Sequence, residues 1–253
     1  MTDISVLGHA LAGAGAVAAG TVNAIAGGGT LITFPLLTAI GVPSVRANAT
    51  NTIALCPGYV AGTYAQRADL AGLGASIRSK AVAATLGGLS GSILLVSSSE
   101  SAFDVAVPFL VLLATVLLAI QDRLRAWVVG RHNQGSHATI GLIALFLTAV
   151  YGGYFGAGLG IMLVAVLGVF SDLSFTRLNA MKQALAILIN ISAAIFLSFS
   201  GKAEWSLIAV MAPAAMLGGA MGGRLARVLP AQRLRTGVIV LGLIVSIIYF
   251  VRL

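Results

Sequence analysis

Charged residues are scarce in this chain of 253 residues, at 9% of the total; soluble domains contain about 25%. Hydrophobic residues make up 58%, and the mean hydropathy is +1.02. A soluble globule has too much surface for its volume to bury so much apolar material, so a water-soluble enzyme is excluded. The 15 Lys and Arg residues give a net charge of +8. They are scattered in short connections without interleaved aromatics, which indicates membrane orientation rather than nucleic-acid binding.

Reactive and metal-binding side chains are also few. Cys56 is the one cysteine, which excludes an internal disulfide and a cysteine metal cluster. His9, His132 and His137 lack metal-ligand spacing, and no Ser-His-Asp set or paired intramembrane carboxylate is present. All seven acids lie near the ends of apolar stretches, so we expect no buried carboxylate to act as a proton relay or sodium ligand. The sequence therefore predicts no catalytic residue, no metal and no cofactor.

Long apolar stretches dominate what is present. A membrane-spanning helix needs about 20 apolar residues. The chain has eight apolar stretches, at 4–40, 47–65, 80–98, 104–121, 138–171, 178–199, 205–223 and 234–252. The first and fifth are too long for one crossing and are interrupted by glycines. The first lacks the preceding Lys or Arg of a signal peptide, so we expect the mature protein to retain it.

The two halves of the chain repeat each other. Arg46-Ala-Asn48-Ala49 matches Arg177-Leu-Asn179-Ala180, an offset of 131 residues. Leu86–Gly91 matches Leu217–Gly222 at the same offset, and Gly28 matches Gly158 within one residue of it. Internal repeats of this size are typical of transporters. We predict one membrane domain, 1–253, with repeats at about 4–121 and 138–253 joined by a polar loop at 122–137.

The distribution of Lys and Arg predicts the topology. If all eight stretches cross the membrane once, these residues divide eight to seven between its sides. If the first and fifth stretches are hairpins that enter and return on one side, six crossings remain and the division is twelve to three. Positive charge concentrates on the cytoplasmic side, so the second arrangement is favoured. The predicted fold is an all-α integral membrane protein of two inverted repeats, each a broken, re-entrant helical hairpin plus three transmembrane helices. Both termini then lie outside the cytoplasm, and the location is the cell inner membrane.

Glycines interrupt the first and fifth stretches. Non-helical backbone at membrane depth is tolerated where it lines a cavity or is buried in protein. A broken helix exposes amide groups at the start of its second arm, and these favour an anion. The alternative is that the glycines only permit tight packing or a kink. The candidate binding residues at the two breaks are Gly27, Gly28, Gly29, Thr30, Gly156, Gly158 and Gly160.

A second polar cluster follows each break. Three- and four-residue spacing places Asn48, Asn51 and Thr52 on one helix face, and likewise Asn179, Lys182 and Gln183. These candidate binding residues are Arg46, Asn48, Asn51 and Thr52 in the first half, and Arg177, Asn179, Lys182 and Gln183 in the second. Asn51 and Lys182 occupy the same repeat position. A lysine inside an apolar span is costly and usually functional, although Lys182 could instead snorkel to the interface. Arg46 and Arg177 could be interface anchors. The pairs Gly87/Gly91 and Gly218/Gly222 are expected to form helix-packing seams.

A family resemblance comes from these same residues. The run from Asn23 through Gly27-Gly28-Gly29-Thr30 to Leu37, followed by Val45–Asn51, and its counterpart Tyr151–Met162, resemble the TauE/SafE (sulfite exporter, TSUP) family. The resemblance covers essentially the whole chain and implies transport of small sulfur-containing anions such as sulfite, sulfoacetate or other organosulfonates. The second half differs from the usual pattern in placing Leu159 within the glycine run and in lacking a proline that matches Pro35.

The favoured function is a secondary transporter that exports such an anion by alternating access. Arg46 and Arg177 would line the outward and inward mouths, and the breaks and the Asn51/Lys182 level would hold the anion near the midplane. An inside-negative potential drives anions outward at about 2.3 kcal/mol per charge per 100 mV, so no coupled ion is required. Expected partners are the anion and membrane lipid, without nucleic acid. The alternatives are a passive anion channel, a transporter of a non-sulfur anion, an intramembrane enzyme and a scaffolding subunit.

Overall fold

The fold is a bundle of α-helices, as predicted. The computed structural model describes residues 4–25, 28–65, 67–130, 138–171, 173–225 and 231–251. Within these ranges the helices are α1 (Val6–Ile25), α2 (Thr30–Ala39), α3 (Ser44–Ala65), α4 (Gly74–Ser97), α5 (Glu100–Gly130), α6 (Ala138–Tyr154), α7 (Leu159–Val169), α8 (Phe175–Phe199), α9 (Trp205–Leu225) and α10 (Ala231–Val251). A short 3-10 turn, Arg67–Leu70, precedes α4. The eight apolar stretches correspond to these helices, with the first and fifth each divided into two.

The divided stretch in the first half forms an antiparallel hairpin. Gly8 near the start of α1 lies beside Ile40, which directly follows α2. Gly15 faces Leu36, and Gly29 at the start of α2 lies against the backbone of α1. Thus α2 returns along α1 toward the end at which α1 begins.

The second half has the same arrangement. Gly141 near the start of α6 contacts the ring of Phe170, which follows α7. Gly152 near the end of α6 contacts the side chain of Leu159, the first residue of α7. Both divided stretches are therefore helical hairpins, as the glycine interruptions predict.

Within the part of the chain that the structure describes, six helices are long and apolar enough to cross a membrane, by length and composition. They are found within α1, α4, α5, α8, α9 and α10. The set differs from the six crossings expected from the sequence, because it includes α1 and leaves out α3. One reason is that α1, with 20 residues, is about 30 Å long. The other is that α3 carries the polar cluster around Asn48 and Asn51.

Helices of the first half pack mainly against helices of the second half. The most extensive packing joins α1 to α9 and α4 to α6, each pair combining one helix from each half. Gly218 lies directly against the carbonyl of Val17, and Gly87 and Gly91 lie against the backbone of α6, which confirms the predicted packing role of these three glycines. The Thr21 hydroxyl also donates to the Gly218 carbonyl at 3.0 Å. At the centre α3 packs on α8, and α5 packs on α10.

The polar connection between the halves is shorter than predicted. The sequence places a loop at 122–137, but α5 continues to Gly130. Val128 is buried in this extension and packs on Gly168 at the end of α7. The extension therefore continues because its apolar side still contacts the second hairpin. Residues 131–137 lie outside the described residues.

Candidate functional site

The first break, between α1 and α2, is closed by a side chain of α1. The Gly29 amide donates to Asn23 Oδ1 at 2.8 Å. Gly28 has φ +96°, a left-handed conformation that favours glycine. Gly27 lies outside the described residues. The sequence predicts exposed amide groups at this break, but the Gly29 amide already has a hydrogen-bond partner, so the prediction is wrong for Gly29.

The second break, between α6 and α7, is bridged differently. Gly156 and Gly158 have φ +75° and +74°, so each needs the freedom of glycine. The Tyr151 hydroxyl donates to the Ala157 carbonyl at 2.6 Å. Gly160 belongs to the first turn of α7 rather than to the break itself. At this break the side chain therefore donates to a backbone carbonyl, whereas at the first break the side chain accepts from a backbone amide.

A small polar cavity connects the two breaks. It is lined by Thr30, Asn51, Thr52, Leu55, Tyr59, Phe155, Gly156 and Asn190. The space that the centre of a water molecule can occupy in this cavity has a volume of about 10 Å³. This is roughly enough for one water. The cavity therefore draws on α2, α3 and α8 and on the second break.

Hydrogen bonds fix the first-half polar residues around this cavity. Asn51 accepts a bond from the Thr33 hydroxyl at 2.5 Å and donates to Thr30 Oγ1 at 3.4 Å. Fully buried Asn48 donates to the Tyr154 carbonyl at 2.7 Å, which ties α3 to the end of α6. The sequence-predicted residues Thr30, Asn48, Asn51 and Thr52 thus occupy one buried face, and three of them line the cavity.

Lys182 faces the beginning of α7. A Cβ placed on Gly160 would lie 3.8 Å from Lys182 Nζ and 3.5 Å from its Cδ. Among the described residues, the ion pairs join Arg46 to Glu204 and Arg235 to Asp122, so none involves Lys182. Its ammonium group therefore lies beside a helix N-terminus without a carboxylate partner in the described chain.

Asn51 and Lys182 lie at different levels of the bundle, rather than at the shared level expected from the repeat. The Thr63 hydroxyl of α3 donates to the Gln183 carbonyl of α8 at 3.2 Å, so Lys182 lies near the far end of α3. Asn51 precedes Thr63 by roughly 18 Å along the helix, at 1.5 Å per residue. Asn179 is half-buried one turn before Gln183. Asn51 thus lines the cavity, whereas Lys182 lies outside its lining, beside the start of α7.

Arg46 and Arg177 hold loops at opposite ends of the bundle. Arg46 Nε lies 3.2 Å from Glu204 Oε1, and its Nη2 donates to the Gly201 carbonyl at 3.4 Å. Arg177 Nη2 donates to the Ala71 carbonyl at 2.9 Å. Neither arginine lines the cavity. Both arginines therefore hold connections between helices, and their role in anion binding stays a prediction.

Sequence reasoning missed several residues of this region. Glu204 is only 4% exposed, although its place near a helix end suggested an accessible acid. Tyr59 and Asn190 line the cavity but were not among the candidate binding residues. The spacing of Thr52, Leu55 and Tyr59 places all three on one helix face, and this periodicity was the available signal. The burial of Glu204 has no comparable local signal, because its partner Arg46 comes from another helix.

Two interrupted helical hairpins around a buried polar cavity, together with the six long apolar helices found in the described ranges, indicate a multi-pass membrane protein. The chain belongs to the sulfite exporter TauE/SafE family, whose profile matches residues 11–249.

Curated relatives agree with this class. The chain is 27% identical to "Probable membrane transporter protein YfcA" of Escherichia coli K12 over 233 residues, covering 91% of this chain and 85% of the relative. It is 25% identical over 205 residues to a "Probable membrane transporter protein" of Haemophilus influenzae Rd, covering 81% and 79% of the two chains. No solved structure matches significantly. The family and its relatives identify the chain as a membrane transporter.

Proposed function

We propose that the chain is a secondary transporter that exports a small sulfur-containing anion, such as sulfite, sulfoacetate or another organosulfonate, by alternating access. The observation that carries this proposal is the position of Lys182 beside the start of α7. A helix N-terminus has a partial positive charge, so an ammonium group there is unfavourable until an anion lies between them.

The cavity chemistry supports an anionic substrate. Its polar lining consists of hydroxyl and amide side chains, with no carboxylate among the lining residues. A sulfonate offers three acceptor oxygens and one negative charge, which suits donors of this kind. The family description, sulfite exporter, directs the choice among small anions toward sulfur compounds.

Alternating access by two inverted repeats is supported by the equivalent packing of the halves. The pairs α1 with α9 and α3 with α9 have counterparts in α6 with α4 and α8 with α4. The hairpin of α1 and α2 in the first half likewise corresponds to the hairpin of α6 and α7 in the second half. Such a pseudo-twofold relation allows two conformations in which opposite ends of one site open.

The orientation follows from the bundle ends. The ion pair between Arg46 and Glu204 brings the starts of α3 and α9 to the same end of the bundle. The Val45 amide donates to Glu100 Oε2 at 2.8 Å, so α5 also starts at this end. The opposite end carries Arg67, Arg78, Arg123 and Arg177, among other cations. We assign this cation-rich end to the cytoplasm, at the inner membrane.

A carrier fits the cavity better than a passive channel does. With room for roughly one water, the cavity must enlarge to admit an anion of several heavy atoms. A conformational change would therefore accompany each passage. A channel would instead keep an open path through the protein.

Flux into proteoliposomes tests the proposal. With sulfite or sulfoacetate, a clamped potential and no pH gradient, we expect saturable flux that follows the voltage and shows counterflow. Absence of a voltage response would contradict uncoupled anion export. Flux without saturation or counterflow would indicate a channel, and preference for chloride or acetate over every sulfur anion would overturn the substrate class.

A further inference from the structure

The two helix breaks differ in what surrounds them. We propose that the anion binds at the second break, between α6 and α7, and that Tyr151 is the positioning residue that shapes this break. The inference rests on the proposed function, because it assigns the substrate of that transporter to one of two related places. Tyr151 belongs to neither polar cluster on α3 and α8.

Side chains of different charge face the two breaks. At the first break, Asn51 of α3 donates to Thr30 Oγ1. At the second break, Lys182 of α8 occupies the same repeat position and lies beside Gly160. An amide group is neutral, whereas an ammonium group attracts an anion strongly in a medium of low dielectric constant. The second break therefore attracts the anion more strongly.

The backbone amide groups at the two breaks also differ in their partners. At the first break, the Gly29 amide is already bound to Asn23 Oδ1, so an anion would have to displace a partly buried hydrogen bond. At the second break, Tyr151 bonds to the Ala157 carbonyl and leaves the amides alone. Within the described chain, the Gly160 amide has no hydrogen-bond partner. The amide beside Lys182 is thus available to an oxyanion.

Tyr151 fixes the backbone of the second break. Ala157 is 1% exposed, so its carbonyl needs a partner inside the protein. The Tyr151 hydroxyl supplies that partner across the break and fixes the turn formed by Gly156 and Gly158. Without it, the carbonyl would reorient toward a new donor and shift the first turn of α7. Tyr151 therefore acts on the anion through the backbone, without touching it.

The test compares matched variants that remove the two bridging bonds. Sulfite binding to the purified full chain is measured by calorimetry for the parent, Tyr151→Phe and Asn23→Leu. We expect Tyr151→Phe to raise Kd about tenfold, as for the loss of one buried hydrogen bond. Asn23→Leu should leave Kd close to the parent value. An equal or larger rise in Asn23→Leu would overturn the assignment.

A double-variant cycle separates positioning from general structural damage. If Tyr151 acts through the site at Lys182, the effect of Tyr151→Phe on Kd should differ between the parent and Lys182→Arg, which keeps the positive charge and therefore a measurable affinity but changes the geometry of the donor. Additive effects would contradict a shared site, whatever the effect of either variant on the thermal unfolding midpoint. If the parent binds no sulfite, sulfoacetate or other small anion, the proposed function fails. If it binds sulfite but both single variants bind as the parent does, only this inference fails.

Discussion

Arg46 on α3 and Glu204 before α9 form an ion pair, with 3.2 Å between Nε and Oε1. The Glu204 side chain is 5% exposed and that of Arg46 is 28% exposed. The Glu204 amide also donates to Thr50 Oγ1 at 3.0 Å, which orders the connection between α8 and α9. One contact thus joins two helices from different halves.

Removing Arg46 should destabilise the protein. We expect Arg46→Ala to lower the free energy of unfolding by about 2 kcal/mol, because it removes the cation that pairs with a buried carboxylate, while the partial exposure of Arg46 keeps the loss below the roughly 3–5 kcal/mol of a fully buried pair. Denaturant unfolding in detergent micelles measures this. The control is Lys202→Ala, which removes a cation from the same end outside the ion pair, and equal losses in the two variants would contradict the role of the pair.

Lys182→Ala should abolish sulfonate binding. A charge-assisted hydrogen bond contributes about 1.5–3 kcal/mol, so affinity should fall by at least about tenfold and below detection for a weak ligand. Calorimetry with sulfite measures the loss, and Lys80→Ala on α4 serves as the control. Unchanged affinity would refute contact between Lys182 and the anion.

Adjacent glycines on α9 provide a sharp packing test. A Cβ at Gly218 would collide with the Val17 carbonyl, whereas a Cβ at Gly219 would meet nothing within 4 Å. We expect Gly218→Ala to cost about 1–3 kcal/mol as overpacking of a tight contact. Gly219→Ala should be neutral or slightly stabilising, because alanine has the higher helix propensity. Thermal unfolding of both variants checks this, and similar midpoints would contradict the close helix approach.

Asn190→Leu should impair transport without unfolding the bundle. Asn190 is 5% exposed and lines the cavity from α8, so an apolar side chain there removes polar lining. We expect sulfite flux into proteoliposomes to fall about tenfold, as for the loss of one buried polar contact. Ser192→Ala, on the same helix but outside the cavity lining, is the control. Flux that survives Asn190→Leu would place the pathway elsewhere.

The broken helices were predictable from the sequence, because their length and glycines leave few other solutions in a membrane. The buried face of Asn48, Asn51 and Thr52 was equally predictable from helical spacing. The level of Lys182 was not, since it depends on how α3 and α8 are aligned by Thr63 and Gln183. Whether a charge is buried, and whether an amide already has a partner, depends on side chains that only the tertiary structure brings together.

The exchanged packing of α1 and α9 has a consequence for biosynthesis. Thr21 and Gly218, which meet in the finished bundle, are 197 residues apart in the chain. The ribosome therefore completes the amino-terminal half before the partner of its first helix exists. The packing of α1 on α9 can form only after the ninth helix has been synthesised, and a chain truncated before that helix would lack this contact.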